Sequence, residues 1–257
     1  MQIDLRDRIA LVTGGSRGIG YAICRALLKQ GCRVAFCARD KKRIITAERE
    51  LSRWGQCLGI VGDTTDPKSI DQVCQSAKRE LGKIEILINN VGGESLETHT
   101  FESSNRRIWN EVWKKNAFSA IEFTHHVISD MKAGGWGRVV SIASAQGREG
   151  GGRCWYNMAK SAEISLMKTL SMDRDLVRNN ITFNSVAPGA IQSQGGVWGK
   201  LAQEDPSAFQ RSVELRPLGR LGKPEEVADL VVFLCSPRAS FINGACIPID
   251  GGESRSF

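Results

Sequence analysis

The sequence predicts a single α/β domain over residues 1–257, built on a doubly wound parallel sheet of about seven strands. Three observations predict it. Short apolar runs alternate with longer amphipathic stretches from one end of the chain to the other. Those runs are continuous rather than alternating, so each strand must be covered on both faces, as in a parallel sheet between two layers of helices. With 257 residues, 41% of them hydrophobic, the chain buries roughly three quarters of the surface its unfolded form exposes, and its core needs no metal or disulfide.

The expected strands are RIALVTG (8 to 14), RVAFCA (33 to 38), CLGIVGD (57 to 63), IEILINN (84 to 90), GRVVSIAS (137 to 144), ITFNSVAPG (181 to 189) and ACIPIDGG (245 to 252). Helical patterns lie between them. In the first, Ile19, Ala22, Ile23, Ala26 and Leu27 follow a helical rhythm that places one apolar stripe against the sheet. The segment from 192 to 220 lacks clear periodicity and reads as a lid over a substrate. No repeat, low-complexity tract or linker interrupts the chain.

Eight cysteines stand at 24, 32, 37, 57, 74, 154, 235 and 246 with no C-x-x-C, a pattern that fits reduced, mostly buried thiols in a cytosol rather than a zinc or disulfide framework. No apolar stretch reaches ~18 residues, and acids and bases precede the first apolar run, so neither a membrane span nor a signal peptide is expected. A cytoplasmic protein is the expectation. The net charge of +7 comes from 35 Lys and Arg against 28 Asp and Glu. The cations are dispersed, and Lys41, Lys42 and Arg43 read as a solvated helix face. No basic patch interleaved with aromatics argues for nucleic acid; a phosphorylated or acidic small ligand stays open as the cause of the excess. His99, His125 and His126 read as structural, and no metal is expected, since adjacent histidines on a helix point to different sides. Trp109, Trp113 and Trp155 read as packing or subunit contacts, with Trp155 also a candidate for touching substrate; Trp198, in the expected lid, is undecided.

Directly after the first strand comes Thr13-Gly14-Gly15-Ser16-Arg17-Gly18-Ile19-Gly20, opening the first helix. Glycines there allow a tight turn and close approach to a pyrophosphate, and the helix N-terminus offers free N–H groups and partial positive charge. Further on, Tyr156 and Lys160 lie four apart on an expected helix and so share a face. A nearby ammonium favours the phenolate and makes a phenol a usable general acid or base.

The spacing G-x-x-x-G-x-G resembles the short-chain dehydrogenase/reductase family. So do Asn89-Asn90-Val91-Gly92 after the fourth strand, Ser144 after the fifth, Tyr156-Asn157-Met158-Ala159-Lys160, and Pro188-Gly189 after the sixth. The resemblance covers nearly the whole chain and implies a Rossmann-like fold with its motifs at one carboxyl edge of the sheet. It implies that Tyr156 gives a proton to a carbonyl oxygen and Ser144, with Ser141 as competing candidate, positions that oxygen. Lys160 would bond the nicotinamide ribose and lower the tyrosine pKa, and Asn116 would hold a water that links the lysine to solvent. It implies cofactor contacts from Gly14, Ser16, Arg17, Gly18, Ile19, Gly20, Arg39, Asp63, Asn90, Gly92, Tyr156, Lys160, Pro188, Gly189, Ile191 and Ser193. Arg39, with Arg17, stands where enzymes that use NAD place a carboxylate, which favours NADP(H) through charge-assisted forks; Asp40 facing the ribose would instead allow NAD(H).

The reaction implied is hydride transfer between the nicotinamide and a carbonyl or secondary alcohol, with a 3-oxoacyl thioester as first substrate class. Arg138 and Arg178 stand near positions where 3-oxoacyl-carrier-protein reductases dock an acidic carrier protein. The alternative is a dehydrogenase of a sugar, polyol or cyclic diol, to which Glu94, Gln146 and Arg148 would be suited; a remote one is a catalytically silent NADP-binding regulator. The family also implies a homotetramer or homodimer built through helices near 105 to 131 and 155 to 178.

Overall fold

The computed structural model describes residues 3–95, 97–98, 100–193 and 196–256; His99 lies outside them. In chain order the elements are β1 (Ile9–Thr13), α1 (Gly18–Lys29), β2 (Arg33–Ala38), α2 (Lys41–Leu51), β3 (Cys57–Val61), α3 (Pro67–Leu81), β4 (Ile86–Asn89) and α4 (Arg106–Trp113). A π-helical turn (Lys114–Phe118) runs on into α5 (Ser119–Gly134), followed by β5 (Gly137–Ile142), α6 (Cys154–Leu170), α7 (Arg174–Val177) and β6 (Ile181–Pro188). The chain closes with α8 (Val197–Glu204), α9 (Pro206–Glu214), α10 (Pro224–Cys235) and β7 (Cys246–Ile249).

All seven expected strands form one sheet, in the order β3-β2-β1-β4-β5-β6-β7, and every pairing is parallel. Successive strand residues feed opposite faces, and both faces are apolar. Ala10 and Val12 of β1 pack with α1, α2 and α10 through Ile23, Leu27, Ala47 and Val231. Ile9 and Leu11 pack with α3, α5 and α6 through Val73, Phe123, Val127 and Met167. This two-sided burial is why the strands read as unbroken apolar runs. The eight cysteines are all free, and burial pushes that of Cys37 up to about 12, out of reach of thiolate chemistry near neutrality.

The segment from 192 to 220, read as lacking clear periodicity, is helical over most of its length. Asp205 ends α8 and caps α9 by accepting the Ala208 N–H at 2.8 Å, with Pro206 at the first helical position. Neither helix contains a buried residue, so their weak apolar stripe reflects a pair that rides on the surface. Among the described residues, no helix is long and apolar enough to cross a membrane.

Candidate active site

The strand order reverses between β1 and β4, and in open α/β sheets the crevice beyond the carboxyl ends of such strands is where ligands bind. Thr13 stitches this crevice. Its hydroxyl accepts the N–H groups of Asn90 (2.9 Å) and Val91 (3.0 Å), while Asn90 Nδ2 donates to Thr13 O at 2.8 Å. Gly14 turns the chain with φ +72°, and a Cβ on Gly20 would lie 2.3 Å from Gly14 O. Any side chain at Gly20 would therefore force the loop open. Beyond it the first N–H groups of α1 have no helical acceptor, since the N-cap Arg17 is extended and its side chain does not cap.

These elements enclose a cleft of about 380 Å³ lined, among the residues the resemblance assigns to the cofactor, by Gly14, Ser16, Arg17, Gly18, Ile19, Gly20, Arg39, Asp63, Asn90, Gly92 and Ser193. Arg43 and Lys115 also line it. Lys41, Lys42 and Arg43 are exposed, as a solvated face requires, and Arg43, in the first turn of α2, also borders the crevice. The Asp40 carboxylate caps α2, accepting from Lys42 N (3.0 Å) and Arg43 N (3.2 Å), with Arg43 Nε 3.3 Å away. Asp63 is likewise engaged: burial pushes its carboxyl up, but the Thr65 N–H and hydroxyl, at 2.9 and 2.8 Å, bring it below the usual range. Lys115 had no sequence signal of its own. Burial, then the charges of Arg39, Arg17 and Lys160, pull its ammonium down. A cleft in which cations crowd one another in this way is built for a polyanion, and it fits a dinucleotide that carries an extra phosphate.

Tyr156 and Lys160, neither of which lines this cleft, lie on consecutive turns of α6, with Lys160 Nζ 5.9 Å from the Tyr156 ring centre and close behind Gly92 of the cleft wall. The Ser144 hydroxyl, just past β5, shares a hydrogen bond with the phenol. Ser141 is buried and donates instead to Glu163 at 3.0 Å. Lys160 is buried and donates to Ile142 O and Glu163 Oε1, both at 2.9 Å. Lys160 acts on the phenol in the implied direction, yet on balance the phenol is held above its ordinary 10.0. Burial raises it, Lys160 pulls it down, Glu163 pushes it back up, and Ser144 and Glu94 act in opposite senses.

Asn116 sits in the middle of the π-turn, where one extra residue per turn aims it inward. Its Nδ2 donates to Val112 O (2.7 Å) and Gly93 O (3.0 Å), and its Oδ1 accepts Gly93 N–H at 3.0 Å. A Cβ on Gly92 would meet both Asn116 Oδ1 and Lys160 Nζ at 2.8 Å, so these two side chains converge on the crevice floor.

The remaining expected contacts lie past β6. Pro188 is buried, Gly189 backs onto Asp250, and neither lines the cleft. Ile191 pairs with Gly222 through its neighbours, Gly222 N–H donating to Ala190 O and Gln192 N–H to Gly222 O, both at 2.9 Å. That pattern turns Ile191's own amide the other way. The mouth is polar: Glu94 pairs with Arg153 at 2.7 Å, and Arg153 Nε donates to Thr98 O. Glu253 accepts the Ala190 N–H and pairs with Arg216, whose guanidinium stacks 5.1 Å from the Trp198 ring. Trp198, on α8, is thereby tied to Arg216. Trp155 and Trp109 meet edge to face at 6.1 Å, a packing role, and Trp113 is exposed.

Arg138 is a correction. It is 1% exposed, its Nη1 donates to Gly137 O and Asn180 O at 2.7 Å, and it stacks on Trp136. It cannot dock a carrier protein. No group of residues suited to holding a metal occurs among the described residues.

Compared with known proteins, residues 14–254 match the family model described as enoyl-(acyl carrier protein) reductase. The chain is 35% identical over 253 residues to an acetoacetyl-CoA reductase of Rhizobium meliloti, covering 96% of this chain and 98% of that protein. It is 31% identical over 255 residues to the rhamnolipid-biosynthesis 3-oxoacyl-[acyl-carrier-protein] reductase of Pseudomonas aeruginosa, covering 96% of each. Among solved structures, L-sorbose reductase from Gluconobacter frateurii, complexed with NADPH and L-sorbose, superposes with a TM-score of 0.92 at 29% identity over 100% of both chains.

Proposed function

The chain belongs to the short-chain dehydrogenase/reductase family, and on that premise we propose that it is an NADP(H)-dependent oxidoreductase that interconverts a carbonyl and a secondary alcohol. The observation that carries the reading is the meeting of Tyr156, Ser144 and Lys160, with Lys160 Nζ close behind Gly92 in the wall of a cation-lined crevice. When bound, the nicotinamide supplies the hydride. The protein does the rest. Arg17, Arg39 and Arg43 would hold the 2′-phosphate, and the N–H groups of α1 the pyrophosphate. Asp63 would meet the adenine, Asn90, Gly92 and Ser193 would line the channel, and the Ile191 amide would meet the carboxamide. Pro188 and Gly189 support that last contact from behind. Ser144 holds the substrate oxygen, and Tyr156 delivers its phenolic proton to that oxygen. Lys160 bonds the ribose, and Asn116 backs the lysine.

A 3-oxoacyl thioester is the first substrate class, supported by the acetoacetyl-CoA and 3-oxoacyl reductases among the relatives. Carrier-protein docking would rest on the exposed Arg178 alone, since Arg138 is buried. The Glu94–Arg153 pair beside Tyr156 favours a second reading, a sugar, polyol or cyclic diol, and the sorbose reductase relative supports it. Exposed Trp113, Ile121 and Met158 on the helices near 105 to 131 and 155 to 178 support a homotetramer or homodimer. Eight free thiols suit a cytoplasmic setting.

The deciding experiment follows NADPH oxidation with acetoacetyl-CoA and then with a panel of ketones and ketoses. Turnover on either class identifies the substrate type. Tight NADPH binding with no turnover on any carbonyl selects the silent regulator instead.

A further inference from the structure

Among the described residues, Glu163 is the only carboxylate in the buried set, and the mechanism above gives it no role. It lies one turn beyond Lys160 on the inner face of α6. Its Oε1 accepts Lys160 Nζ at 2.9 Å and its Oε2 accepts the Ser141 hydroxyl at 3.0 Å; the two charged side chains are 3% and 1% exposed. The ammonium also donates to Ile142 O. Of its three N–H donors two are thus committed to the protein, leaving one for the side on which Gly92 and the crevice lie.

From this geometry we infer that Glu163 is a positioning residue that acts through Lys160: it anchors the ammonium, offsets its charge, and so keeps Tyr156 in the protonated form that donates to a carbonyl. The inference rests on the oxidoreductase reading and adds to it a bias of the site towards carbonyl reduction near neutral pH. The other groups that face this pair are few. Tyr156 shares α6, Lys115 and Asn116 come from the π-turn, Ser141 from β5, and Glu94 from the segment after β4. Strand β6, which packs behind α6, carries no ionisable side chain, and Arg106, Arg107 and Glu111 of α4 face solvent. The offset is visible at the phenol, which burial raises and which Lys160 and Glu163 push in opposite directions.

The test needs no substrate. The chain has two tyrosines, Tyr21 and Tyr156, so Tyr21→Phe leaves Tyr156 as the sole phenol. Its titration is then read directly by phenolate difference absorbance in the ligand-free protein. With Glu163 present, the midpoint is expected above the ordinary 10.0. Glu163→Gln, which keeps shape and hydrogen bonds while removing the charge, should move it down by roughly one to two pH units, the worth of a unit charge several ångströms away at an effective dielectric of about 20. Glu163→Asp should restore the midpoint most of the way. In the otherwise native chain, Glu163→Gln should also move the alkaline limb of the kcat profile for reduction down by the same amount. A midpoint at or below 10.0 in the Tyr21→Phe protein, or one that Glu163→Gln leaves in place, overturns the inference whether or not the enzyme reduces any carbonyl offered to it.

Discussion

Replacing Lys160 with Met tests the buried ion pair as a matter of stability as well as catalysis. The native ammonium lies 2.9 Å from Glu163 Oε1, with the two side chains 3% and 1% exposed. Removing one partner of such a pair leaves an uncompensated buried charge, a loss of about 3–5 kcal/mol. The variant can escape only by protonating Glu163, whose carboxyl burial already pushes above its ordinary 4.5. An acid whose folded pKa is raised loses stability as pH climbs from its unfolded value to its folded one. The deficit of Lys160→Met should therefore be small near pH 4.5 and grow by about 1.4 kcal/mol per pH unit. It should level off once pH has passed the raised pKa of the carboxyl, at the ceiling of about 3–5 kcal/mol. For a chain of this size each kcal/mol is worth ≈ 2–4 °C in Tm. Urea unfolding of native protein, Lys160→Met and Lys160→Met/Glu163→Gln across that pH range is the assay. The double variant should recover most of the loss at pH 8, because the orphaned charge is gone. Equal stability of Lys160→Met and native protein at pH 8, or a double variant no better than the single, would refute the account of the pair.

Three further outcomes are expected. Tyr156→Phe should abolish turnover while leaving NADPH affinity nearly intact by fluorescence titration; a variant that keeps a tenth or more of the native rate removes the phenol from proton transfer. Arg39→Asp should shift preference from NADPH towards NADH, and with Arg43→Ala added the NADPH Kd should rise by about 10–100-fold for each lost charge-assisted bond of about 1.5–3 kcal/mol; an unchanged ratio of the two cofactors' kcat/KM values would mean that the arginines of the crevice hold nothing. Gly20→Ala puts a methyl 2.3 Å from Gly14 O, so cofactor binding should be lost with the sheet intact by circular dichroism, and native affinity in that variant would contradict the loop geometry.

Much of this was legible because each strand is covered on both faces. Continuous apolar runs such as Ile86–Asn89 can exist only in a sheet so covered, and the glycine turn after β1 announces the crevice. The strand ends ran one to three residues long in the sequence reading, as at 245 to 252 against Cys246–Ile249, because apolar and turn residues there pack without laddering. The two helices α8 and α9 were missed because they bury no complete face. Arg43 is solvated as read, but that it also borders the crevice shows only once the neighbouring strand end is in place. Lys115 and Glu163 left no local trace at all: both matter through what the fold brings to them, one across the crevice from Arg39, the other against Ser141 of β5. Arg138 was misplaced for the converse reason, since a guanidinium that finds two carbonyls and an indole face can live inside.

The single supernumerary residue of Lys114–Phe118 makes this site unusually sensitive to length. Deleting Ala117 would let the stretch relax to a regular α-helix with α4 and α5 kept nearly in phase, since a π-turn takes up about one residue more than an α-turn, and only the side chains of the turn itself would be re-aimed. Asn116 would swing off the crevice floor and release the backbone of Gly93, although no polar atom had been altered. Homologues or designs that gain or lose one residue here would differ in chemistry more than many that differ in composition.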